Sequence, residues 1–127
     1  MRVFKNTRFT RFARQENISD LDLCQAIHRA QRGLIDADLG GGVIKQRIPR
    51  PNQGRSGGFR SIILFRVAER AVFVYGFAKN DQDNISDDNL KAFKLLADTV
   101  LKLNDEEIQT LLDKGDLNEV KCDEEDS

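Results

Sequence analysis

The spacing of apolar residues predicts four helices along this chain. Apolar positions three or four residues apart turn one side of a helix toward a core. A polar residue that favours a helix start precedes each segment. The apolar positions with their caps are Phe9, Phe12 and Ala13 after Asn6 or Thr7; Leu23, Cys24, Ile27, Ala30 and Leu34 after Ser19; Leu90, Phe93, Ala97, Val100 and Leu101 after Ser86; and Ile108, Leu111 and Leu112 after Asn104.

Other segments have the pattern of strands. Residues 43–48 alternate, so Lys45 and Arg47 share one face of a strand. Residues 59–67 are almost continuously apolar, and residues 71–78 follow a tight connection, which predicts an antiparallel hairpin. The proline- and glycine-rich segment 49–58 predicts a mobile connecting loop. Short strands are also expected at residues 1–5 and 117–120.

Pleat parity predicts one basic side of this sheet. In the first hairpin strand, Ser61, Ile63, Phe65 and Val67 form the more apolar face, which leaves Arg60 on the other. In the second strand, parity groups Phe73, Tyr75, Phe77 and Lys79. If that group lies on the side of Arg60, one face of the sheet collects Lys45, Arg47, Arg60, Tyr75 and Lys79.

Charge is divided between the two parts of the chain. Residues 1–80 hold 15 Lys and Arg against 6 Asp and Glu, a net of +9, whereas residues 81–127 hold 5 against 15, a net of −10. The segment 39–68 has six basic residues and no carboxylate. This division predicts an anionic partner for the first part, and nucleic acid is the obvious one.

Length and composition limit the class of protein. The 127 residues fit one domain over residues 1–121, followed by an acidic tail over residues 122–127 that we expect to be disordered. No apolar run is long enough to span a bilayer and the start is not a secretory signal, so we expect a cytoplasmic protein without a membrane partner. Cys24 and Cys122 are far apart in sequence and are expected to remain free thiols.

The basic residues narrow the chemistry. No metal-ligand cluster, phosphate-binding loop, carboxylate pair or serine–histidine set is evident in the first eighty residues, so we expect no metal and no cofactor. RNA cleavage by the ribose 2′-hydroxyl suits Lys and Arg, because the substrate supplies its own nucleophile. The protein then needs to orient the RNA, stabilise the charge of the phosphorane and assist proton transfer.

Three motifs in this order resemble the RelE/HigB toxins of bacterial type II toxin-antitoxin systems. They are Lys45-Gln46-Arg47 on a strand, Ser56-Gly57-Gly58-Phe59-Arg60 after a basic glycine-rich loop, and Tyr75-Gly76-Phe77-Ala78-Lys79-Asn80 at the end of the hairpin. The resemblance extends from Met1 to Val120 and is closest to a RelE-like subgroup with an extra carboxy-terminal helix. It implies an α+β fold, with amino-terminal helices on one face of a small curved, mainly antiparallel sheet.

The resemblance also implies an activity and its residues. Such toxins cut mRNA in the ribosomal A site without a metal, and an antitoxin, here expected to be of the helix-turn-helix type, neutralises them. By position, Lys45 and Arg47 would contact the substrate and act in proton transfer, Arg60 would stabilise the scissile phosphate, and Lys79 would be a further catalytic cation. The RNA or ribosome contacts would be Arg50, Arg55, Tyr75 and Asn80. Tyr75 precedes the last basic position, whereas the tyrosines of the family follow it, so the general acid and base stay unassigned.

Two other functions remain open at this stage. The first is a non-catalytic relative on the same fold that acts by binding a protein, as the gyrase-poisoning ParE branch does. The second is a simple RNA-binding module, whose affinity would fall steeply with salt and which would leave the strand intact. Basic residues at three motif positions favour the nuclease.

Overall fold

The computed structural model describes residues 1–50, 54–78 and 84–122 of the chain. The side chains of residue 50 and of residues 54–57 are outside this description. The described elements, in chain order, are β1 (Arg2–Asn6), α1 (Thr7–Gln15), α2 (Asp20–Gln31), β2 (Ala37–Gly40), β3 (Val43–Arg50), β4 (Gly54–Arg66), β5 (Arg70–Ala78), α3 (Asp87–Val100), α4 (Asp105–Lys114) and β6 (Leu117–Val120).

The strands form one sheet in the order β2-β3-β4-β5-β1-β6. Every neighbouring pair is antiparallel except β1 and β5, which run parallel. Parallel neighbours need a long crossover connection, and here α1, α2 and three strands lie between β1 and β5 in the chain. The α+β class and the mainly antiparallel sheet expected from the sequence are therefore confirmed.

Helices pack on both faces of the sheet. Phe9 of α1 and Leu23 and Ile27 of α2 are buried against one face, in a cluster that includes Ile44, Ile63 and Phe73 of the sheet. Ala97 and Val100 of α3 and Ile108 of α4 are buried against the other, in a cluster that includes Val43, Leu64 and Val72. The amino-terminal helices and the extra carboxy-terminal helices thus cover opposite faces.

The helix starts agree with the caps predicted from the sequence. The Asn6 side chain accepts the backbone N–H of Phe9, and the Ser86 hydroxyl accepts that of Asn89. Capping boxes begin α2 at Ser19 and α4 at Asn104, and each satisfies two backbone donors that a helix start leaves unpaired. These local bonds explain why the starts could be predicted without knowledge of the fold.

Leu34 does not belong to the second helix, although its spacing had placed it on the apolar side of that helix. Helix α2 ends at Gln31, and Gly33 adopts a φ of 85°, which residues other than glycine rarely adopt. Leu34 therefore lies outside the helix and is 55% exposed. The chain then forms the short edge strand β2, which the sequence analysis did not anticipate.

The loop expected at residues 49–58 is shorter than predicted. Strand β3 continues to Arg50, and β4 already begins at Gly54, so only residues 51–53 fall outside the described strands. The pairing register shifts between Ile48 and Arg50, which places Pro49 at an irregularity of the ladder. A proline is tolerated at such a position because its missing N–H breaks no regular ladder bond.

The two cysteines are bonded to each other, so the prediction of free thiols is wrong. The sulfur atoms of Cys24 and Cys122 lie 2.00 Å apart. Strand β6 pairs with β1, with Val3 opposite Val120, and this pairing brings the chain end back to α2. Cys122, which we assigned to the tail, is thus fixed to the fold; residues 123–127 lie outside the described residues.

We expect this bond to contribute to stability. It links residues 98 positions apart, and closing so long a loop restricts the unfolded chain, which typically stabilises a protein by about 2–4 kcal/mol. Reduction of the wild-type protein should therefore lower its midpoint of urea unfolding. The Cys24→Ser, Cys122→Ser double variant should unfold at that lower midpoint with or without reductant. An unchanged wild-type midpoint after complete reduction would contradict this expectation.

Candidate active site

Strand β3 presents its two faces to different environments. Ile44, Gln46 and Ile48 are buried on the side of α2. The Gln46 amide nitrogen donates to the carbonyls of Ala26 (3.1 Å) and Leu34 (3.0 Å), and its oxygen accepts the backbone N–H of Asp36 (3.0 Å). A fully bonded buried amide fixes which way the strand faces. The alternate residues Lys45 and Arg47 therefore lie on the opposite side, as predicted.

The register of β3 and β4 brings two arginines together. Lys45 pairs with Ile62, and Arg47 lies directly opposite Arg60. The Ser61 hydroxyl donates to the Gln46 carbonyl at 2.8 Å inside the sheet, beside the arginine pair. Lys45, Arg47 and Arg60 thus share one face of two neighbouring strands, which the parity of the sequence had predicted.

A bulge in β5 adds Tyr75 to the same face. Ile63 pairs with Phe73 but Ile62 pairs with Tyr75, so Val74 is an extra residue on β5. As a result Phe73 is buried on the side of α1 and α2, whereas Tyr75 and Phe77 lie on the other side. The prediction that Phe73 shares a face with Tyr75 and Phe77 is therefore wrong, while the grouping of Tyr75 with Arg60 is confirmed.

We refer to Lys45, Arg47, Arg60 and Tyr75 as the basic face. The Tyr75 ring is 5.9 Å from the ring of Phe77 and 6.0 Å from that of Phe93, measured between centroids. The guanidinium carbon of Arg8 lies 5.7 Å from the Tyr75 centroid, so α1 contributes a further cation at the rim. This contact could not be predicted from the sequence, because no local pattern relates Arg8 of α1 to Tyr75 of β5.

The two arginines of the basic face repel each other. Burial lowers the pKa of Arg60, the positive charge of Arg47 lowers it further, and Asp36 offsets part of this effect. Among the described residues, neither guanidinium forms an ion pair with a carboxylate. Like charges directly opposite each other in a sheet are destabilising. Such a pair becomes favourable once an anion lies between or above the two groups.

Three neighbours of the basic face were missed from the sequence. Asp36 accepts the backbone N–H of Arg47 at 2.6 Å, Arg29 donates to the Arg47 carbonyl, and Asn84 lies 3.5 Å from the Lys45 ammonium nitrogen. Asp36 precedes the unpredicted strand β2, and Arg29 belongs to α2, so no local pattern links either residue to β3. Their placement depends on how the chain returns from α2 to the sheet edge.

Several predicted site residues cannot be compared with the structure. Lys79 and Asn80 lie outside the described residues, as do the side chains of Arg50 and Arg55. His28, the one histidine of the sequence, is exposed on α2. Over the described ranges, no group of three or more His, Cys, Asp or Glu is arranged to hold a metal ion. Within the same ranges, no helix is long and apolar enough to cross a membrane.

Comparison with known proteins yields one family. The family model described as the RelE toxin of the RelE / RelB toxin-antitoxin system matches residues 1–120. That range includes every described strand and helix, from β1 to β6. No curated protein matches the chain.

The repulsion between the two arginines predicts a gain in stability when one is removed. A lowered pKa means that the folded protein binds the Arg60 proton less tightly than the unfolded chain, so the charged group opposes folding at neutral pH. Arg60→Gln should raise the free energy of unfolding at neutral pH by about 0.2–1 kcal/mol, and added salt should reduce the gain.

The matched control is Arg66→Gln on the same strand. Arg66 lies 3.7 Å from Glu69, with side chains that are 40% and 65% exposed, so its loss should change stability little or lower it slightly. Urea unfolding of the three proteins measures the difference. An Arg60→Gln protein that is less stable than both the wild type and Arg66→Gln would contradict the electrostatic account.

Proposed function

The chain belongs to the RelE toxin family, and we propose that this toxin is a metal-independent endoribonuclease that cuts mRNA on the ribosome and thereby stops translation and growth. The observation that carries the proposal is that Arg47 and Arg60 lie opposite each other on one face of the sheet, with no ion pair to a carboxylate among the residues that the structure describes. Two guanidiniums at adjacent strand positions suit a phosphate group, which accepts several hydrogen bonds and bears negative charge.

The reaction that suits these groups is an internal transesterification of RNA. The ribose 2′-oxygen attacks the adjacent phosphorus, the bond from phosphorus to the 5′-oxygen breaks, and the products carry a 2′,3′-cyclic phosphate and a 5′-hydroxyl. One proton leaves the 2′-hydroxyl and another reaches the departing 5′-oxygen. The protein therefore has to align the RNA, stabilise the phosphorane and move two protons.

We assign roles to the basic face by the position of each group. Arg47 and Arg60 contact the non-bridging oxygens of the scissile phosphate and stabilise the charge that grows there. Lys45 lies two residues from Arg47 on β3 and is the candidate for proton transfer, with Asn84 beside its ammonium group. The Arg8 guanidinium lies over the Tyr75 ring, and a base can stack on that guanidinium or replace it on the ring.

The remaining roles concern residues that the structure does not describe. We assign Lys79 as a further cation near the scissile phosphate, because it follows β5 directly and β5 pairs with the strand of Arg60. Arg50, Arg55 and Asn80 are assigned as contacts to the RNA or ribosome backbone. The proposal does not require any of them to act in proton transfer.

A toxin of this family has a cognate antitoxin, and we propose one of the helix-turn-helix type. An acidic helix or extended segment of the antitoxin would cover the basic face, because opposite charges complement each other across an interface. We place both partners in the cytoplasm with the ribosome. Reductants there keep most thiols reduced, so the bond between Cys24 and Cys122 would be open in that compartment.

Substitution on the basic face should abolish most cleavage. Arg47→Gln and Arg60→Gln should each lower the rate by about 10²–10³-fold, the usual loss when one group that stabilises transition-state charge is removed. Lys45→Gln should lower it by about 10²–10⁴-fold, the usual contribution of a group that transfers a proton. The assay is primer extension on mRNA during translation in a purified system. Arg66→Gln, on the same strand but paired with Glu69, is the matched control and should retain the wild-type rate.

Two results would contradict the proposal. Cleavage at the wild-type rate by all three variants would mean that the basic face is not the site. Intact mRNA in the presence of wild-type protein would favour a non-catalytic function, and the salt dependence of RNA affinity then identifies the class. Contact with about six phosphates predicts a loss of about 10³-fold between 50 and 200 mM salt, whereas a protein-binding relative would have weak affinity for RNA throughout.

A further inference from the structure

A cleft lies beside the basic face, at the edge of strand β3. It has a volume of about 510 Å³ and is lined by Arg29, Leu34, Ile35, Asp36, Arg47 and Pro49. The cleft lies where the pairing of β2 with β3 ends. Ala37 is the first residue of β2 and pairs with Lys45, so β2 does not pair with the part of β3 that follows Lys45. Its volume is within the range of sites that bind a small molecule or a nucleotide.

Arg47 connects this cleft to the basic face. Its side chain lines the cleft, and its strand position is directly opposite Arg60. The Arg47 Nε is buried and has no hydrogen-bond partner among the described residues. A buried donor without a partner is destabilising, and an acceptor brought by a ligand would remove that cost after a small rotation of the side chain.

The walls of the cleft combine flat apolar surface with planar cations. Leu34, Ile35 and Pro49 provide the apolar part, and Leu34 is 55% exposed. Arg29 and Arg47 provide guanidinium planes. This combination can bind an unstacked RNA base, because bases stack on guanidinium planes and pack between apolar side chains.

Among the described residues that line the cleft, Asp36 is the acidic one, and its carboxylate supplies a preference among bases. Asp36 Oδ2 accepts the backbone N–H of Arg47, while Oδ1 accepts no hydrogen bond from the described residues. An ionised carboxylate can only accept hydrogen bonds. Among the four bases, guanine has two adjacent donors on its pairing edge, N1–H and the N2 amino group, so it matches a carboxylate best.

We propose that the cleft is a base-specific subsite, in which Asp36 binds the pairing edge of a guanine that neighbours the scissile phosphate held by Arg47 and Arg60. The proposal rests on the function proposed above and names the specificity of the same site. Asp36 is then a specificity-determining residue, and Arg47 contacts both the phosphate and the nucleotide beside it.

The first experiment measures binding without cleavage. Fluorescently labelled tetranucleotides with 2′-O-methyl riboses cannot react, and they carry guanine, inosine or adenine at one position in turn. Inosine lacks only the N2 amino group of guanine. At one position, wild-type protein should bind guanine about tenfold or more tightly than inosine, since a hydrogen bond to a charged group is lost. This comparison needs no variant and so does not depend on the folding of one.

The second arm uses Asp36→Asn. The asparagine oxygen can still accept the Arg47 N–H, so the local structure is kept, but an amino group replaces an acceptor in the cleft. This variant should bind guanine and inosine equally. Asp38→Asn is the matched control: it removes the same charge two residues away, where Asp38 Oδ1 accepts the Gly40 N–H and does not line the cleft. It should keep the wild-type preference.

Cleavage separates the failure of this inference from the failure of the proposed function. If wild-type protein cuts translated mRNA with no base preference that Asp36→Asn alters, the cleft inference is wrong and the nuclease stands. If the oligonucleotides show a guanine preference that Asp36→Asn abolishes but no mRNA is cut, the subsite stands and the nuclease is wrong. Equal affinity of wild-type protein for guanine and inosine at every position, or no binding of either, overturns the inference.

Discussion

The register of the β3–β4 pair is the constraint on which the basic face depends. One residue of slippage would move Arg47 and Arg60 out of opposition and turn the alternate side chains of one strand to the other face. Buried groups between the strands and α2 prevent this. Gln46 bonds the backbone at Ala26, Leu34 and Asp36, and Ser61 bonds the Gln46 carbonyl. Slippage would leave these polar groups buried without partners.

The same packing explains how two like charges persist in a stable fold. The face of the sheet toward α1 and α2 is filled by apolar side chains, and the face toward α3 is filled only in part. Ala97, Val100 and Leu101 cover Val43 and Leu64, while Lys45, Arg47 and Arg60 lie on the same face in the intermediate range of exposure. The apolar layers thus supply the stability, and the uncovered part of the sheet retains the unfavourable cations that a phosphate would stabilise.

Local patterns in the sequence predicted much of this arrangement. Caps such as Ser19 and Asn104 act within one helical turn, and the alternation around Lys45 and Arg47 follows from the period of a strand. Both are visible without knowledge of the fold. The family resemblance then supplied the amino-terminal helices on one face of a mainly antiparallel sheet, but it did not say which face the carboxy-terminal helices cover.

Features that depend on distant partners could not be predicted in the same way. The bulge at Val74 decides that Tyr75 lies beside Arg60 and Phe73 does not, and Gly76, the glycine inside this strand, does not give its position. Strand β2 is four residues long and pairs through the backbone, so its composition gives no signal. The bond between Cys24 and Cys122 joins residues 98 positions apart and depends on the pairing of β6 with β1. The cleft at Asp36 depends on β2.

We propose that the basic face promotes attack by a ribose 2′-hydroxyl on the neighbouring phosphate. The most direct test is a ribosome-bound mRNA with a single 2′-deoxynucleotide on the 5′ side of the mapped cleavage position. Cleavage of this deoxy-substituted mRNA at the mapped position should disappear, whereas the unmodified mRNA should yield a 2′,3′-cyclic phosphate and a 5′-hydroxyl. Cleavage of the deoxy-substituted mRNA at the same position and rate would contradict this proposal, because the nucleophile would then have to come from elsewhere.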